Sequence, residues 1–376
     1  MIELLSIPSL LLTVLYLSVL VYLIKGWNAL KPPRIKLSGC TTRVTVLIAA
    51  RNEEEKIHLT IEDILAQDYP KHLTEIIIVD DHSTDRTSEI ISSYASHGVK
   101  LLQLKEDKPL NSYKKKAIAT AISLSTGDLM VATDADCRMG SRWLSTIVGY
   151  YEMEQPVMIS SPVGYFEEKS LFERMQTLEF NFLIGIGAAF IGNGRASTCN
   201  GANLAYRKDI FYEVGGFAGI DDLASGDDEL LLQKVAARFP GRIGFLKHFD
   251  AVVLTHAKAN LKEFLQQRRR WASKSVKYKD KRVIGLTVGI WLFNVSLIVN
   301  ALLGFYDIFF FKVFLLQFVL KYLFEFVFLL PISTFFKRPQ LIVLLIIIIP
   351  LHVLYFFYIG IIGTTKTYTW KGRVVR

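Results

Sequence analysis

Residues 4–24 form an uncharged apolar run of 21 residues, and this run limits the possible architectures more than any other feature. About 20 apolar residues are enough to cross the hydrocarbon core of a bilayer as one helix. No basic residue precedes the run and no small-residue cleavage site follows it, which argues against a cleaved signal peptide. Lys25, Lys31, Arg34 and Lys36 follow at once, so the pattern predicts a membrane anchor with the next segment in the cytoplasm.

Long apolar stretches return near the other end of the chain, at 283–306, 312–332 and 341–363. An earlier apolar segment at 171–191 contains three charged residues and is predicted to lie in the interface or beside a sheet rather than to span the bilayer. The prediction is therefore about four membrane segments, one N-terminal and about three C-terminal. Basic residues at 337–338 and in the tail 366–376 leave the side of the C-terminus open.

The middle of the chain has a different composition. Residues 41–280 hold 30 basic and 32 acidic residues, so the net charge of +9 comes from the apolar flanks. Positive charge beside apolar segments indicates an anionic membrane surface and argues against nucleic acid as a partner. The three cysteines, Cys40, Cys137 and Cys199, are far apart and odd in number, so they predict neither a disulfide framework nor a metal knuckle.

From residue 43 onward, short apolar runs alternate with amphipathic segments of helical length. Strands are predicted at 43–50, 75–81, 99–104 and 128–136. This alternation predicts an α/β domain with a mainly parallel, Rossmann-like sheet. In such sheets ligands bind at the carboxyl ends of the strands, and the polar clusters RNE, DDHSTD and DADC each lie at a predicted strand end.

Acidic residues at two of these strand ends are candidate ligands. Asp134 and Asp136 are expected to project from the same side of a strand, where two carboxylates suit Mg²⁺ or Mn²⁺. Asp81 is expected to accept a hydrogen bond from a ribose hydroxyl or a base, although the same segment could serve as a helix cap.

The early strands are followed by no glycine-rich phosphate loop, so basic side chains must help to neutralise any bound phosphate. Lys116 and its neighbours Lys114 and Lys115 are the candidates, and a solvated helix start is the alternative.

A second acidic cluster, Asp227 and Asp228, opens an amphipathic helix. Such acids can simply complement the helix dipole, or one of them can act as a general base. A basic helix further on places Gln267, Arg270 and Trp271 on one face, where Arg can bind phosphate and the indole can pack on a ring. Arg268 and Arg269 would then contact lipid headgroups on another face.

These pieces, in this order, resemble a membrane-anchored family 2 glycosyltransferase of the GT-A fold. The resemblance runs from Arg43 to about Trp271 and rests on a set of short motifs: AARNEE, VDDHSTD, TDADC, CNGANLAYRK, GDDELLL and QRRRW. It implies that Arg51 and Asp81 lie against the nucleotide, with Lys116 near its phosphates. It also implies that Asp134 and Asp136 hold a divalent ion.

For the transfer itself the resemblance implies that Asp227 is the base, and Gly226 in place of the family's usual acid leaves Asp228 as the alternative. Asn200, Gly201 and Asn203 match a loop near the acceptor. QRRRW matches the family's QxxRW element, which implies that its Gln267, Arg270 and Trp271 close the diphosphate and acceptor side.

The resulting expectation is an inverting hexosyltransferase that uses a nucleotide sugar, commonly a UDP-sugar in this family, and a lipid or lipid-linked acceptor. A processive polysaccharide synthase and a non-catalytic membrane scaffold are the alternatives. The predicted divisions are an anchor (1–42), a cytoplasmic GT-A domain (43–255), a basic interfacial helix (256–282) and a C-terminal membrane region (283–376). The expected location is the plasma or inner membrane.

Overall fold

The structure, a computed structural model, describes residues 2–36, 38–105, 110–273, 281–362, 368–370 and 373–375. The chain forms two compact units, and each is assembled from three separate segments. We call residues 1–25, 169–185 and 258–368 the helical unit, and residues 26–168, 186–257 and 369–376 the α/β unit. The part of the predicted basic helix at 274–280 lies outside the described residues, as do residues 366–367, 371–372 and 376 of the basic tail.

Twelve α-helices are present in the described part of the chain. In order they are α1 (Ile2–Ala29), α2 (Ile57–Leu65), α3 (Thr87–Ser93), α4 (Tyr113–Leu124), α5 (Trp143–Glu154), α6 (Leu171–Gly192), α7 (Lys208–Glu213), α8 (Glu229–Arg238), α9 (Leu261–Ser273), α10 (Lys281–Leu303), α11 (Ile308–Phe335) and α12 (Leu345–Ile362).

Twelve short strands accompany these helices. They are β1 (Val44–Ala50), β2 (Thr74–Asp80), β3 (Val99–Gln103), β4 (Leu129–Asp134), β5 (Arg138–Met139), β6 (Met158–Ser160), β7 (Val163–Tyr165), β8 (Leu204–Arg207), β9 (Ile243–Phe245), β10 (Val253–Thr255), β11 (Tyr368–Trp370) and β12 (Arg373–Val375).

The main sheet of the α/β unit has the strand order β3-β2-β1-β4-β8-β6-β9. Strands β3, β2, β1 and β4 are all parallel, and β8 runs antiparallel to both of its neighbours. The central strand β1 is an almost continuous apolar run and is buried along nearly its whole length, as expected for a strand covered on both faces. The mainly parallel α/β fold is therefore confirmed.

Three parallel strands, β1, β2 and β4, end level with one another at one edge of the sheet. Ala50 at the end of β1 is paired with Asp80 of β2, and Ala49 is paired with Asp134 of β4. The opposite edge is closely packed at Gly127, because a Cβ atom there would lie 2.6 Å from the backbone nitrogen of Thr45. The polar residues that follow the strands therefore gather at one place.

Among the residues that the structure describes, five helical segments are long and apolar enough to cross a membrane by length and composition. They are Ser6–Ala29, Leu171–Gly192, Val283–Leu303, Ile308–Phe335 and Pro339–Tyr358. Four of these correspond to the predicted membrane segments. The fifth, in α6, has the lowest mean hydropathy, 1.3, and the largest buried share, 61% of its most apolar window.

Candidate active site

Arg51 and Asp81 lie together where β1 and β2 end. The Arg51 guanidinium donates hydrogen bonds to the carbonyl oxygens of Asp81 (2.7 Å) and His82 (2.8 Å). Asp81 is only 2% exposed, and its backbone N–H donates to the carbonyl of Ala50. The two residues predicted to contact the nucleotide are thus neighbours at the same corner of the sheet.

Backbone geometry marks this corner as well. Asn52 and His82, one after each strand, have φ angles of 50° and 53°. Residues other than glycine rarely adopt this left-handed region, and such residues cluster at functional sites. Crossed hydrogen bonds hold the two turns together: Asn52 accepts from the N–H of Thr84, and Ser83 accepts from the N–H of Asn52.

Lys114, in the first turn of α4, joins the two acidic clusters that lie far apart in the sequence. Its ammonium donates a 2.7 Å hydrogen bond to Oδ1 of Asp134 and lies 3.2 Å from Oδ2 of Asp227. The Asp134 side chain is 37% exposed and the Asp227 side chain 12%. The end of β4 and the loop before α8 therefore share one cation, with both carboxylates still partly open to solvent.

The electrostatics of this cluster keep the lysine charged. Burial alone would lower the pKa of Lys114, but the nearby carboxylates of Asp134 and Asp227 outweigh burial and raise it above its usual value. Burial and the Asp227 carboxylate also raise the pKa of Tyr206, a phenol on β8 that is 2% exposed. The cluster thus includes a neutral phenol beside the charged groups.

The expected placement of Asp136 on a strand is wrong. β4 ends at Asp134, and Ala135 and Asp136 form the turn that follows, where Thr60 donates to the carbonyl of Ala135. The alternation of side chains along a strand therefore does not explain how these two carboxylates are oriented. After burial itself, the carboxylates of Asp134 and Asp136 both raise the pKa of the buried Cys137 thiol, so both lie near that sulfur.

These two carboxylates fit a metal that is shared with a substrate. Within the described residues, no group of three or more His, Cys, Asp or Glu side chains could hold a metal ion. Mg²⁺ and Mn²⁺ commonly bind through one or two carboxylates and complete their coordination with water and phosphate oxygens. Asp134 and Asp136 supply that donor set, whereas a metal held by protein ligands alone would need more.

The structure distinguishes Asp227 from Asp228. Oδ1 of Asp228 accepts the N–H of Glu229 at 2.6 Å and caps α8, and Oδ2 accepts the N–H of Gly201 at 3.0 Å. Asp227 instead directs Oδ2 toward Lys114. Gly226, where the family commonly has an acid, has φ +85°, a conformation that favours glycine.

The loop at 200–203 contacts this acidic turn through its backbone. A Cβ atom on Gly201 would lie 3.2 Å from Cβ of Asp228 and 3.4 Å from Oδ2 of Asp227. Asn200 uses its side chain locally, accepting the N–H of Ala202 at 2.9 Å. Gly201 is therefore the member of the predicted acceptor loop that lies against the acids.

Asn203, the third residue of the predicted acceptor loop, directs its side chain into the fold. Asn203 is 0% exposed, and its amide donates to the carbonyls of Pro162 (2.8 Å) and Ala251 (2.7 Å). Its Oδ1 accepts the indole N–H of Trp143 at 3.0 Å. These bonds join four segments of the α/β unit, so the Asn203 side chain stabilises the fold.

The three consecutive lysines of α4 differ in exposure and in contacts because they occupy different faces of the helix. Lys116 is exposed, whereas Lys115 is 1% exposed and donates to three backbone carbonyls. Helical spacing could have separated them, because Lys114 and Lys115 stand four and three residues before the buried Ile118, while Lys116 falls on the outer face. Lys114 is the better candidate for a role at the acids.

In the helical unit, the QRRRW segment lies on α9 and is organised around Arg268. Its guanidinium donates to Glu179 of α6 at 2.7 and 3.1 Å and to Oε1 of Gln267 at 2.8 Å, and it lies 4.3 Å from the ring centroid of Trp271. Arg268 is only 3% exposed, so its expected contact with lipid headgroups is wrong. The roles predicted for Gln267, Arg270 and Trp271 stay predictions.

The sheet order, with acidic residues at the ends of its parallel strands, is that of the GT-A fold. The mannosyltransferase PcManGT of Pyrobaculum calidifontis, solved in complex with GDP-Man and Mn²⁺, superposes with a TM-score of 0.58 at 18% identity. The match covers 87% of this chain and 96% of that one, and it shows the shared fold.

Residues 45–215 match the family model described as Glycosyl transferase family 2, so the chain carries a domain of that family. A probable glycosyltransferase of Bacillus subtilis, YdaM, is 29% identical over 242 residues, which are 61% of this chain and 54% of that protein. A beta-monoglucosyldiacylglycerol synthase of Nostoc sp. is 29% identical over 120 residues, 32% of this chain and 26% of the synthase. The chain thus aligns with about half of the first relative and a quarter of the second.

Proposed function

We propose that this protein transfers a hexosyl unit from a nucleotide sugar to a hydroxyl group of a membrane lipid or lipid-linked acceptor, with inversion at the anomeric carbon. The observation that carries the proposal is the lysine shared by Asp134 and Asp227. It brings a candidate metal ligand and a candidate base, 93 positions apart in the sequence, to one cluster at the carboxyl edge of the sheet.

The donor is proposed to bind at this edge. Arg51 and Asp81 would contact the nucleoside, since an acid at a parallel strand end commonly accepts hydrogen bonds from a ribose or a base. Asp134 and Asp136 would hold Mg²⁺ or Mn²⁺ against the diphosphate. That ion would supply charge stabilisation to the departing diphosphate. Lys114 supplies a fixed positive charge in the same cluster.

Asp227 is proposed to take the proton of the acceptor hydroxyl. The acceptor oxygen then forms its bond to the anomeric carbon, the bond from that carbon to the phosphate oxygen breaks, and its electron pair leaves with the nucleoside diphosphate. A single displacement of this kind inverts the anomeric centre and needs one base opposite the leaving group. Asp227 suits that role better than Asp228, whose two oxygens accept backbone N–H groups.

The acceptor class is inferred from the membrane segments. Five candidate spans make a hydrophobic acceptor in the same bilayer the simplest partner, and one relative is named as a synthase of a glycosylated diacylglycerol. The proposed location is the plasma or inner membrane with a cytoplasmic α/β unit, because three basic residues, Lys31, Arg34 and Lys36, follow the first span.

The test uses membranes that contain the full chain and a panel of labelled UDP- and GDP-sugars. One added sugar on an organic-soluble product is the expected result, with Asp134→Ala abolishing the metal-dependent part of turnover. A ladder of longer oligosaccharides would instead support a processive synthase. Absence of both transfer and donor hydrolysis with Mn²⁺ would identify a non-catalytic scaffold and refute the proposal.

A further inference from the structure

We propose that Lys115 is a positioning residue for the loop that carries Asp227, an inference that rests on the function proposed above. Its ammonium donates to the carbonyl oxygens of Ile220 (2.6 Å), Leu223 (2.7 Å) and Ser225 (2.8 Å). The last of these precedes Asp227 by two residues. Lys115 does not touch a substrate in this proposal; it acts through the backbone it holds.

The geometry uses the full capacity of the side chain. A lysine ammonium has three N–H donors and no acceptor, and here three carbonyl oxygens lie within hydrogen-bond distance of it. The side chain is 1% exposed, so water does not compete for these donors. A single atom of α4 thus fixes three points of a six-residue stretch of loop.

The loop needs such a partner because it forms no regular structure of its own. Between α7 and α8 the described chain runs through turns, with Gly219 and Gly226 at φ angles of +80° and +85°. Carbonyl groups in such a segment have no helix or strand ladder to bond with, and buried carbonyls left unpaired are costly. The beginning of the same loop is held similarly, by Lys234 donating to Gly216 (2.6 Å) and Ala218 (2.8 Å).

A buried ammonium group loses its hydration, and this cost is offset by the carbonyl and carboxylate groups of the loop and of the turn before α8. Burial lowers the pKa of Lys115 to about 8, while the acids of the loop and of the turn before α8, led by Asp227 and Asp228, act in the opposite direction. An apolar side chain at this position would avoid this cost. The three carbonyl contacts account for why a lysine is present.

Two consecutive lysines therefore act on the same acidic turn in different ways. Lys114 contacts the carboxylates of Asp134 and Asp227, and Lys115 contacts the backbone that leads into Asp227. Successive side chains on a helix point about 100° apart, so one helical turn can hold both the side chain and the main chain of the acidic turn. Losing Lys115 should displace the base without removing any group from the donor pocket.

The experiment compares Lys115→Met with Lys208→Met in the full-length protein. Lys208 is the matched control, since its ammonium also binds a backbone carbonyl, that of Ser125 at the far end of α4 (2.5 Å). We expect Lys115→Met to lower kcat by roughly 10²-fold, the effect of a displacement of about 1 Å. Binding of UDP or GDP should change by no more than about threefold. Backbone amides of residues 219–228 should exchange hydrogen faster than in the wild type, and the control should leave all three quantities unchanged.

Equal losses of diphosphate affinity and kcat, or an unchanged exchange rate in the loop, would overturn the assignment. If Lys115→Met does not fold, Lys115→Gln replaces it, because the glutamine amide retains two N–H donors. This variant should show a kcat and a loop hydrogen-exchange rate between those of the wild type and those expected for Lys115→Met. Wild-type values for both quantities would overturn the assignment of Lys115. Hydrogen exchange needs no substrate. If the wild type transfers no sugar, the proposed function fails, while faster exchange in residues 219–228 alone still supports the role of Lys115.

Discussion

Each of the two units contains a lysine paired with at least one carboxylate, and the two clusters differ in how far their side chains are exposed to solvent. In the helical unit, Lys321 of α11 lies 2.5 Å from Oε1 of Glu325 and 3.0 Å from the hydroxyl of Tyr16, which itself donates to Glu325. The side chains of Lys321 and Glu325 are 2% and 4% exposed. This triad is closed, since its members bond to one another and water has no access.

The Lys114 cluster of the α/β unit is open by comparison. The side chains of Asp134 and Asp227 are 37% and 12% exposed, and they lie at the carboxyl edge of a parallel sheet, where ligands bind. A closed polar cluster in an apolar surrounding stabilises one packing of helices, whereas an open one can exchange its partners for a substrate. The two clusters therefore differ in exposure and in their place in the fold, although both pair a lysine with carboxylates.

The largest effect is expected for Asp227→Asn in the Lys114 cluster, where the change should affect catalysis and not stability. The amide preserves the shape of the side chain but cannot accept the acceptor proton, so kcat should fall by about 10²–10⁴-fold. Binding of the nucleoside diphosphate and the unfolding temperature should stay close to the wild-type values. Transfer assays, calorimetric binding and thermal unfolding check these outcomes. A parallel loss of diphosphate binding would contradict the assignment of Asp227 as the base.

Much of the open cluster could be predicted from local sequence patterns. The runs VTVLIAA and EIIIVD give buried strands, and polar residues directly after them must meet at one sheet edge. Strand patterns alone could not predict Lys114 as the partner of Asp134, because they do not distinguish three adjacent lysines. Only the position of each lysine on the helix does so. The burial of Asn203 depends on Pro162, Ala251 and Trp143, which are distant in sequence and follow no periodicity.

Lys321→Met tests the closed cluster, and it should affect stability rather than chemistry. The change leaves Glu325 buried with Tyr16 alone, and removing one partner of a buried ion pair costs about 3–5 kcal/mol of unfolding free energy. Transfer per folded molecule should be unchanged. The double variant Lys321→Met/Glu325→Leu removes both charges and should recover most of the loss. Thermal unfolding in detergent measures both, and a double variant as unstable as the single one would refute this account.

The smallest effect is expected for a substitution of Glu152, a carboxylate of the α/β unit that accepts four hydrogen bonds. It accepts hydrogen bonds from Lys36 (2.7 Å), the N–H of Thr41 (2.8 Å) and both the N–H and hydroxyl of Thr42, and so ties the segment before β1 to α5. Like the Lys321 triad, Glu152 is expected to contribute to stability and not to chemistry. Glu152→Gln should therefore lower the free energy of unfolding by about 1 kcal/mol and the unfolding temperature by about 2–4 °C, without changing kcat.

The same residue predicts a pH dependence with a definite sign. Burial acts to raise the pKa of Glu152, but the bonds from Lys36, Thr41 and Thr42 outweigh it and lower the pKa from 4.5 to about 2. A carboxyl whose pKa is lower in the folded state stabilises the fold above its unfolded pKa and loses that contribution as the pH falls toward the folded value. The difference in unfolding temperature between the wild type and Glu152→Gln should therefore narrow from pH 5 to pH 3. A difference that stays constant over this interval would show that the carboxylate charge contributes nothing and that only the shape of the side chain matters.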